Sequence, residues 1–242
     1  MRSLLRNTDW SHLRDYVSPS FFSVVPATAV SSRIASLSTN ALKGRAFRSA
    51  LDAREQLLPP GVVVGELDDA TPHQERPIPA VGEAALRVFF AQIAADGPIV
   101  LDLSQSRWTA SPDGSIAWKP GRLWAEWEPG FREAVRDLYR GFYGDDAARF
   151  DRALDVLGLE VARDTFVEHF GGGDQRAVTF DLAAFHDTFH RVFVQCREAG
   201  VTLDGDFLYL GIYLGCLYET LSLVERPFDV RAAYEWAFGD AA

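Results

Sequence analysis

The sequence predicts a mainly helical domain of the α+β type: a helical bundle that carries one small β-hairpin. Three observations lead there. From residue 81 onward apolar residues recur at helical spacing over long stretches. The interruption at 102–124, DLSQSRWTASPDGSIAWKPGRLW, holds a Pro-Asp-Gly turn between two short runs of strand-forming residues. With 242 residues, 48% hydrophobic and 24% charged, the chain has the material for a sizeable core. We divide it into a helical N-terminal extension, 1–60, and a main domain, 61–242.

Residues 1–58 read as irregular helices, broken by the small and turn-forming residues of SPSFFSVVPATAVSSRIASLSTN. The run Leu57-Leu58-Pro59-Pro60-Gly61 ends the last of them. VVVGE (62–66) is β-branched and bounded by glycines, which predicts a buried strand, and 67–80 is a loop. VGEAALRVFFAQIAADG (81–97) places Ala85, Val88, Phe89 and Ile93 on one helical face, with Gly97 as its stop. PIVLDL follows as a strand, and then the hairpin. EPGFREAVRDLYRGFYG is a helix from its proline to Gly144, and DDAARFDRALDVLGL opens on an acidic turn that suits the helix dipole. Further helices are expected near 160–170, 181–199, 204–225 and 229–238, with GGGDQ (171–175) as a linker. No internal repeat is present.

A net charge of −10 argues against nucleic acid as a main partner and against a polybasic membrane anchor. Cys196 and Cys216 lack metal-binding spacing and are expected as buried, reduced thiols in a cytoplasmic protein. The opening MRSLLRNTDWSHLRDY is charged throughout, unlike a signal peptide. The most apolar stretch, DFLYLGIYLGCLYETLSLV, contains two glycines and is expected as a core helix rather than a membrane span.

His186 and His190 share a helix face at i, i+4, but a third ligand is missing, so no metal site is expected. His169 fits a helix C-terminal contact. The acid pairs Asp68/Asp69 and Asp145/Asp146 fit turns and helix starts. Trp108, Trp118, Trp124 and Trp127 fit hairpin-to-bundle packing better than a ligand pocket or an interface. No nucleophile elbow, Walker loop or dinucleotide fingerprint occurs, and no cofactor is expected.

Read in order, FFAQIAADG–PIVLDLSQSR–WTAS–PDGSIAW–KPGRLWAEWEPGFREAV resembles the C-terminal lobe of the UbiB/AarF family of atypical kinase-like proteins. The family's pattern is a QIxxDG-like helix end, an ADxHPGN catalytic loop, a PDGxIxxxDFG hairpin and an RLDPxFRxAL helix. AGVTLDGDFLYLGIYLGCLYETLSLVERPFDV is similar to its closing helices. LKGRAFRSALDAREQLLPPG (42–61) is weakly similar to its KxGQ extension, with Lys43 at the lysine and Arg45 at the glutamine. The resemblance implies a protein-kinase-like C-terminal lobe with Asp102 at the catalytic aspartate.

The departures imply lost chemistry. Ser104, Gln105, Ser106 and Arg107 stand where the family has histidine, proline, glycine and asparagine. At the DFG position Lys119 and Pro120 precede Gly121. Phosphoryl transfer needs carboxylate and amide oxygens around magnesium, and two cations in those places repel it. The stretch between VVVGE and the helix at 81 is too short for a nucleotide-clamping N-lobe. The expectation is therefore a catalytically inactive, kinase-like interaction or regulatory protein, with a protein partner or a second copy over the face the N-lobe would cover. The alternative is a binder or enzyme for an anionic or hydrophobic, prenylated small molecule. Its site would be a remodelled pocket with Asp102 as base and Ser104, Arg107 and Lys119 as ligand contacts. A structural ion-pair cluster is the plain reading of the same four residues.

Overall fold

A computed structural model describes residues 19–65, 79–169 and 177–239. Asp68/Asp69, the 171–175 linker, most of the 67–80 loop and the His169 side chain lie outside the described set. Among the described residues the fold is mainly helical, with three small sheets.

The described residues begin with a 3-10 turn, Pro19–Ser23, followed by α1 (Ala27–Leu42) and α2 (Gly44–Glu55). Strand β1 (Val62–Val64) leads on to α3 (Pro79–Ala94), whose apolar residues bury most of its circumference. Then come β2 (Ile99–Val100), β3 (Trp108–Ala110), β4 (Ile116–Trp118) and β5 (Trp124–Ala125). The remainder is helical: α4 (Pro129–Tyr143), α5 (Ala147–Leu157), α6 (Arg163–His169), α7 (Leu182–Glu198), α8 (Phe207–Ser222) and α9 (Val230–Phe238). Two short strands, β6 (Ala177–Val178) and β7 (Phe228–Asp229), pair antiparallel among them.

Local chemistry explains most boundaries. Pro129 begins α4, where a missing N–H costs nothing. The Asp146, Asp181 and Asp229 carboxylates accept from backbone N–H groups of Arg149, Ala184 and Ala232, capping α5, α7 and α9. Gly158, at φ +72°, closes α5 in the left-handed conformation. The C-terminal carbonyls of α3 are taken by arginines: Arg136 donates to Ile93 and Ala95, and buried Arg54 donates to the Asp96 carbonyl.

β3 and β4 form the expected hairpin, closed by Ser111 N donating to Ser115 O at 2.8 Å. β1 joins it parallel to β4, with Val62 opposite Ile116. The 62–66 run is not fully buried. Among the described residues β1 has one neighbour, β4, and Val62 is covered while Val63 is 42% exposed. The expected strand 98–103 is also shorter, because Leu103 N bonds back to Leu101 O and turns the chain after β2. β2 pairs antiparallel with β5, Val100 opposite Trp124, so the whole 101–123 stretch is a loop-and-hairpin excursion with its base tied shut.

One hydrophobic core holds these layers together, and it draws on both sides of residue 60: Val30, Leu37 and Phe47 belong to it with Phe89, Trp118 and Tyr213. α1 packs on β5 and α8, α2 on β1 and β2, and α3 runs between α4, α8 and α9. All four tryptophans of 108–127 are core residues. Trp108 and Trp118 stack across the hairpin at 5.7 Å, and Trp124 Nε1 donates to Asn40 O. α8 is buried along most of its length, as expected, and among the described residues no helix is long and apolar enough to cross a membrane.

Candidate functional site

The chain path at 101–107 is set by three backbone-directed bonds. Trp118 Nε1 donates to the Asp102 carbonyl at 3.0 Å; Trp108 Nε1 and Thr220 Oγ1 both donate to the Leu103 carbonyl, at 3.1 and 2.7 Å. A 3-10 turn over Gln105–Arg107, closed by Arg107 N donating to Ser104 O, then folds Arg107 back over Asp102.

Both oxygens of the Asp102 side chain have partners. Its Oδ1 accepts from Ser104 Oγ at 2.6 Å, and Oδ2 accepts from Gly121 N at 2.8 Å. Arg107 Nε lies 2.7 Å from Oδ2 as an ion pair, and Asp102 is only 5% exposed. A carboxylate offers about four lone-pair directions, and three are spoken for here. Gly121 is required by this arrangement, since a Cβ there would sit 2.6 Å from Oδ2. The residue type is thus dictated by close approach of a backbone N–H to a buried charge.

Of the four candidate residues, Asp102, Ser104 and Arg107 come together. Lys119 is tied by its backbone N–H to the Arg107 carbonyl at 2.8 Å, and it is exposed where Asp102 is buried. The donor set does not fit a magnesium ion. A hard dication takes oxygen ligands, and the one buried carboxylate faces a guanidinium. Among the described residues no cluster of three or more metal-capable side chains occurs.

Two apolar cavities lie elsewhere. One is walled by Phe89, Phe90, Tyr139, Tyr143 and Tyr218 between α3, α4 and α8; the other by Phe21, Phe185, Phe189 and Phe193. Neither is lined by Asp102, Ser104, Arg107 or Lys119. The larger measures about 30 Å³, room for a water or two. Burial raises Tyr139 and Tyr143 well above the ordinary phenol range, so both hydroxyls stay neutral.

His190 Nδ1 lies 3.1 Å from Ser20 Oγ, on the face where α7 meets the 3-10 turn at 19–23. Cys196 and Cys216 are both buried and unbridged, and burial pushes the Cys196 thiol up to about 11.

A second buried carboxylate escaped sequence reasoning. Asp206, 0% exposed, opens α8; its Oδ2 accepts from Glu128 N at 2.7 Å, and Oδ1 pairs with Arg33 Nε of α1 at 2.8 Å. Burial raises its pKa to about 6, against the opposing pull of the Glu128 N–H and of Arg33. The only sequence signal is an acid at a helix start, which ordinarily means an exposed cap.

Comparison with protein-family models finds no match, and comparison with curated proteins finds none either.

Proposed function

We propose that this chain is a catalytically inactive, kinase-like protein that acts through interaction with a partner. The observation that carries the reading is the state of Asp102. At the position the resemblance gives to the catalytic aspartate, both carboxylate oxygens are engaged, and Arg107 faces them from the position it gives to a metal-binding asparagine. A general base needs a lone pair aimed at substrate, and phosphoryl transfer needs oxygen ligands around a metal; this cluster buries its carboxylate and sets a guanidinium against it. The order of helix, strand, buried aspartate, hairpin and closing strand supports descent from a kinase-like lobe. So does the antiparallel β2–β5 pair that brackets the excursion.

The alternative, a small-molecule site around Asp102, is weaker because the carboxylate is buried and already accepts from Ser104 and Gly121 and pairs with Arg107. A prenyl-sized ligand in the tyrosine-walled cavity would have to displace side chains that already fill it.

Thermal shift with ATP and magnesium tests the proposal. A ligand at a hundred times its Kd stabilises by about 2.7 kcal/mol, which is about 5–11 °C for a chain of this size. We expect no shift and no phosphate transfer; a magnesium-dependent rise of several degrees overturns the reading.

A further inference from the structure

Charge is distributed very unevenly in this acidic protein. The first 51 residues hold seven of its lysines and arginines against two acids, a net +5; the other 191 carry −15. Part of that excess collects at one place. Lys43, Arg45 and Arg48 lie at the start of α2 and are exposed, and α2 has no acidic residue in its first turn. Arg122, also exposed, lays its guanidinium over the same turn, about 3.6 Å from where a Cβ on Gly44 would lie. Among the described residues none of these four cations has a carboxylate within ion-pair distance. Arg33, Arg136, Arg149, Arg163 and Arg231 are ion-paired; among the same described residues Arg152 on α5 and Arg197 on α7 also lack a carboxylate, but each lies on a different helix.

The arrangement runs against helix electrostatics. The N-terminal end of a helix carries a partial positive charge, which stabilises acids and destabilises cations. Four cations around that end reinforce one another and the dipole. Apolar surface leads up to them: Leu42, the residue before Lys43, is 66% exposed, and Ile34, two i+4 steps back along α1, is 47% exposed.

We infer that the surface formed by Ile34, Leu42, Lys43, Arg45, Arg48 and Arg122 is the docking site for a short acidic segment of a partner protein, one carrying apolar side chains among its acids. This rests on the reading of the chain as an interaction protein and gives that partner a chemistry. Charge complementarity selects the occupant. Nucleic acid and anionic membranes are extended negative surfaces and would bring charge against the −15 remainder as well, over the roughly 10 Å reach of electrostatics at moderate salt. A second copy in a two-fold dimer would set the same cations against each other. A short segment places its acids on the patch alone, and its apolar residues on Ile34 and Leu42.

The test is fluorescence anisotropy of the full chain with a labelled peptide of four Glu-Glu-Leu repeats. Parallel arms use the Lys-Lys-Leu counterpart, phosphatidylglycerol vesicles and a single-stranded oligonucleotide. We expect the acidic peptide to bind and the other three not to, with affinity falling about tenfold between 50 and 300 mM salt. K43E/R45E/R48E/R122E should abolish binding, L42S should weaken it about threefold, and R152E, on exposed α5 surface, should leave it unchanged. All variants are surface changes, and retained melting temperature checks that they fold. Absence of peptide binding, equal loss in R152E, tighter binding to vesicles or oligonucleotide, or a concentration-dependent dimer abolished by the quadruple variant would each overturn the assignment. An ATP·Mg²⁺ shift would instead strike the non-catalytic reading, so the two failures are separable.

Discussion

The sharpest consequence of the Asp102 cluster is energetic. A catalytic carboxylate is held against the grain of stability, and removing one is neutral or stabilising. A structural carboxylate behaves in the opposite way. Replacing Arg107 by alanine leaves Asp102, 5% exposed, with its charge and without its cation. Breaking a buried pair costs about 3–5 kcal/mol. The Arg107 side chain is 33% exposed, so the lower end, about 3 kcal/mol, applies. Asp102→Ala strands the Arg107 guanidinium and the Gly121 N–H and should cost a similar amount. Removing both partners together should cost less than the sum by about 1–3 kcal/mol, because the second removal relieves what the first exposed. Denaturant melts at constant m-value measure each term. Each single variant should lower the melting temperature by about 6–12 °C in a chain of this length. A stabilised Asp102→Ala variant, or a coupling indistinguishable from zero, would refute the structural role and return Asp102 to the list of possible bases.

Other outcomes follow from the same structure. Gly121→Ala should destabilise by about 1–3 kcal/mol, since the new methyl must displace Asp102 Oδ2; an unchanged melt would show that the 2.6 Å approach is not maintained. Asp206 has a folded pKa near 6 against about 4 unfolded, so the folded state binds its proton more tightly. Its contribution is complete below about pH 4 and lost as pH rises through 6, an effect of about 2–3 kcal/mol; Asp206→Asn should flatten the decline between pH 4 and 6. An identical pH slope in that variant would assign the decline elsewhere. Both thiols should resist an aromatic disulfide reagent at pH 8 in the folded protein and react promptly in denaturant, since both are buried and raised by desolvation. Rapid reaction of either would contradict its placement.

The helices were legible because their signals are local. The periodicity of 81–97 and the capping acids before α5, α7 and α9 are properties of a few consecutive residues. The two-residue strands were not, because β2 stops where Leu103 turns back on Leu101, and β6 finds β7 some fifty residues away. The candidate site was half legible. Sequence spacing put an aspartate and two cations in one loop-and-hairpin excursion, but it cannot tell that a 3-10 turn aims Arg107 inward while Lys119 stays outside. Nor does Gly121 announce itself, because its service is a backbone N–H at a distance only glycine permits. The Arg33–Asp206 pair joins residues on opposite ends of the chain, and no local pattern links them.

That last pair also bears on how the protein is made. α1 buries Val30 and Leu37, but its partners arrive late: Asp206 holds Arg33, Tyr209 Oη donates to the Arg33 carbonyl, and Leu203 N donates to the Val24 carbonyl. A ribosome adding about 5–20 residues per second needs roughly 10–30 s to travel from the end of α1 to residue 206. Throughout that interval the apolar side of the first helix has none of its α8 contacts. The nascent chain therefore presents a sticky helix that α2 and β5 cover in part and that its C-terminal third must complete, which makes it a natural client for chaperones that hold exposed apolar segments. Truncation before α8 should give aggregation rather than a smaller folded domain.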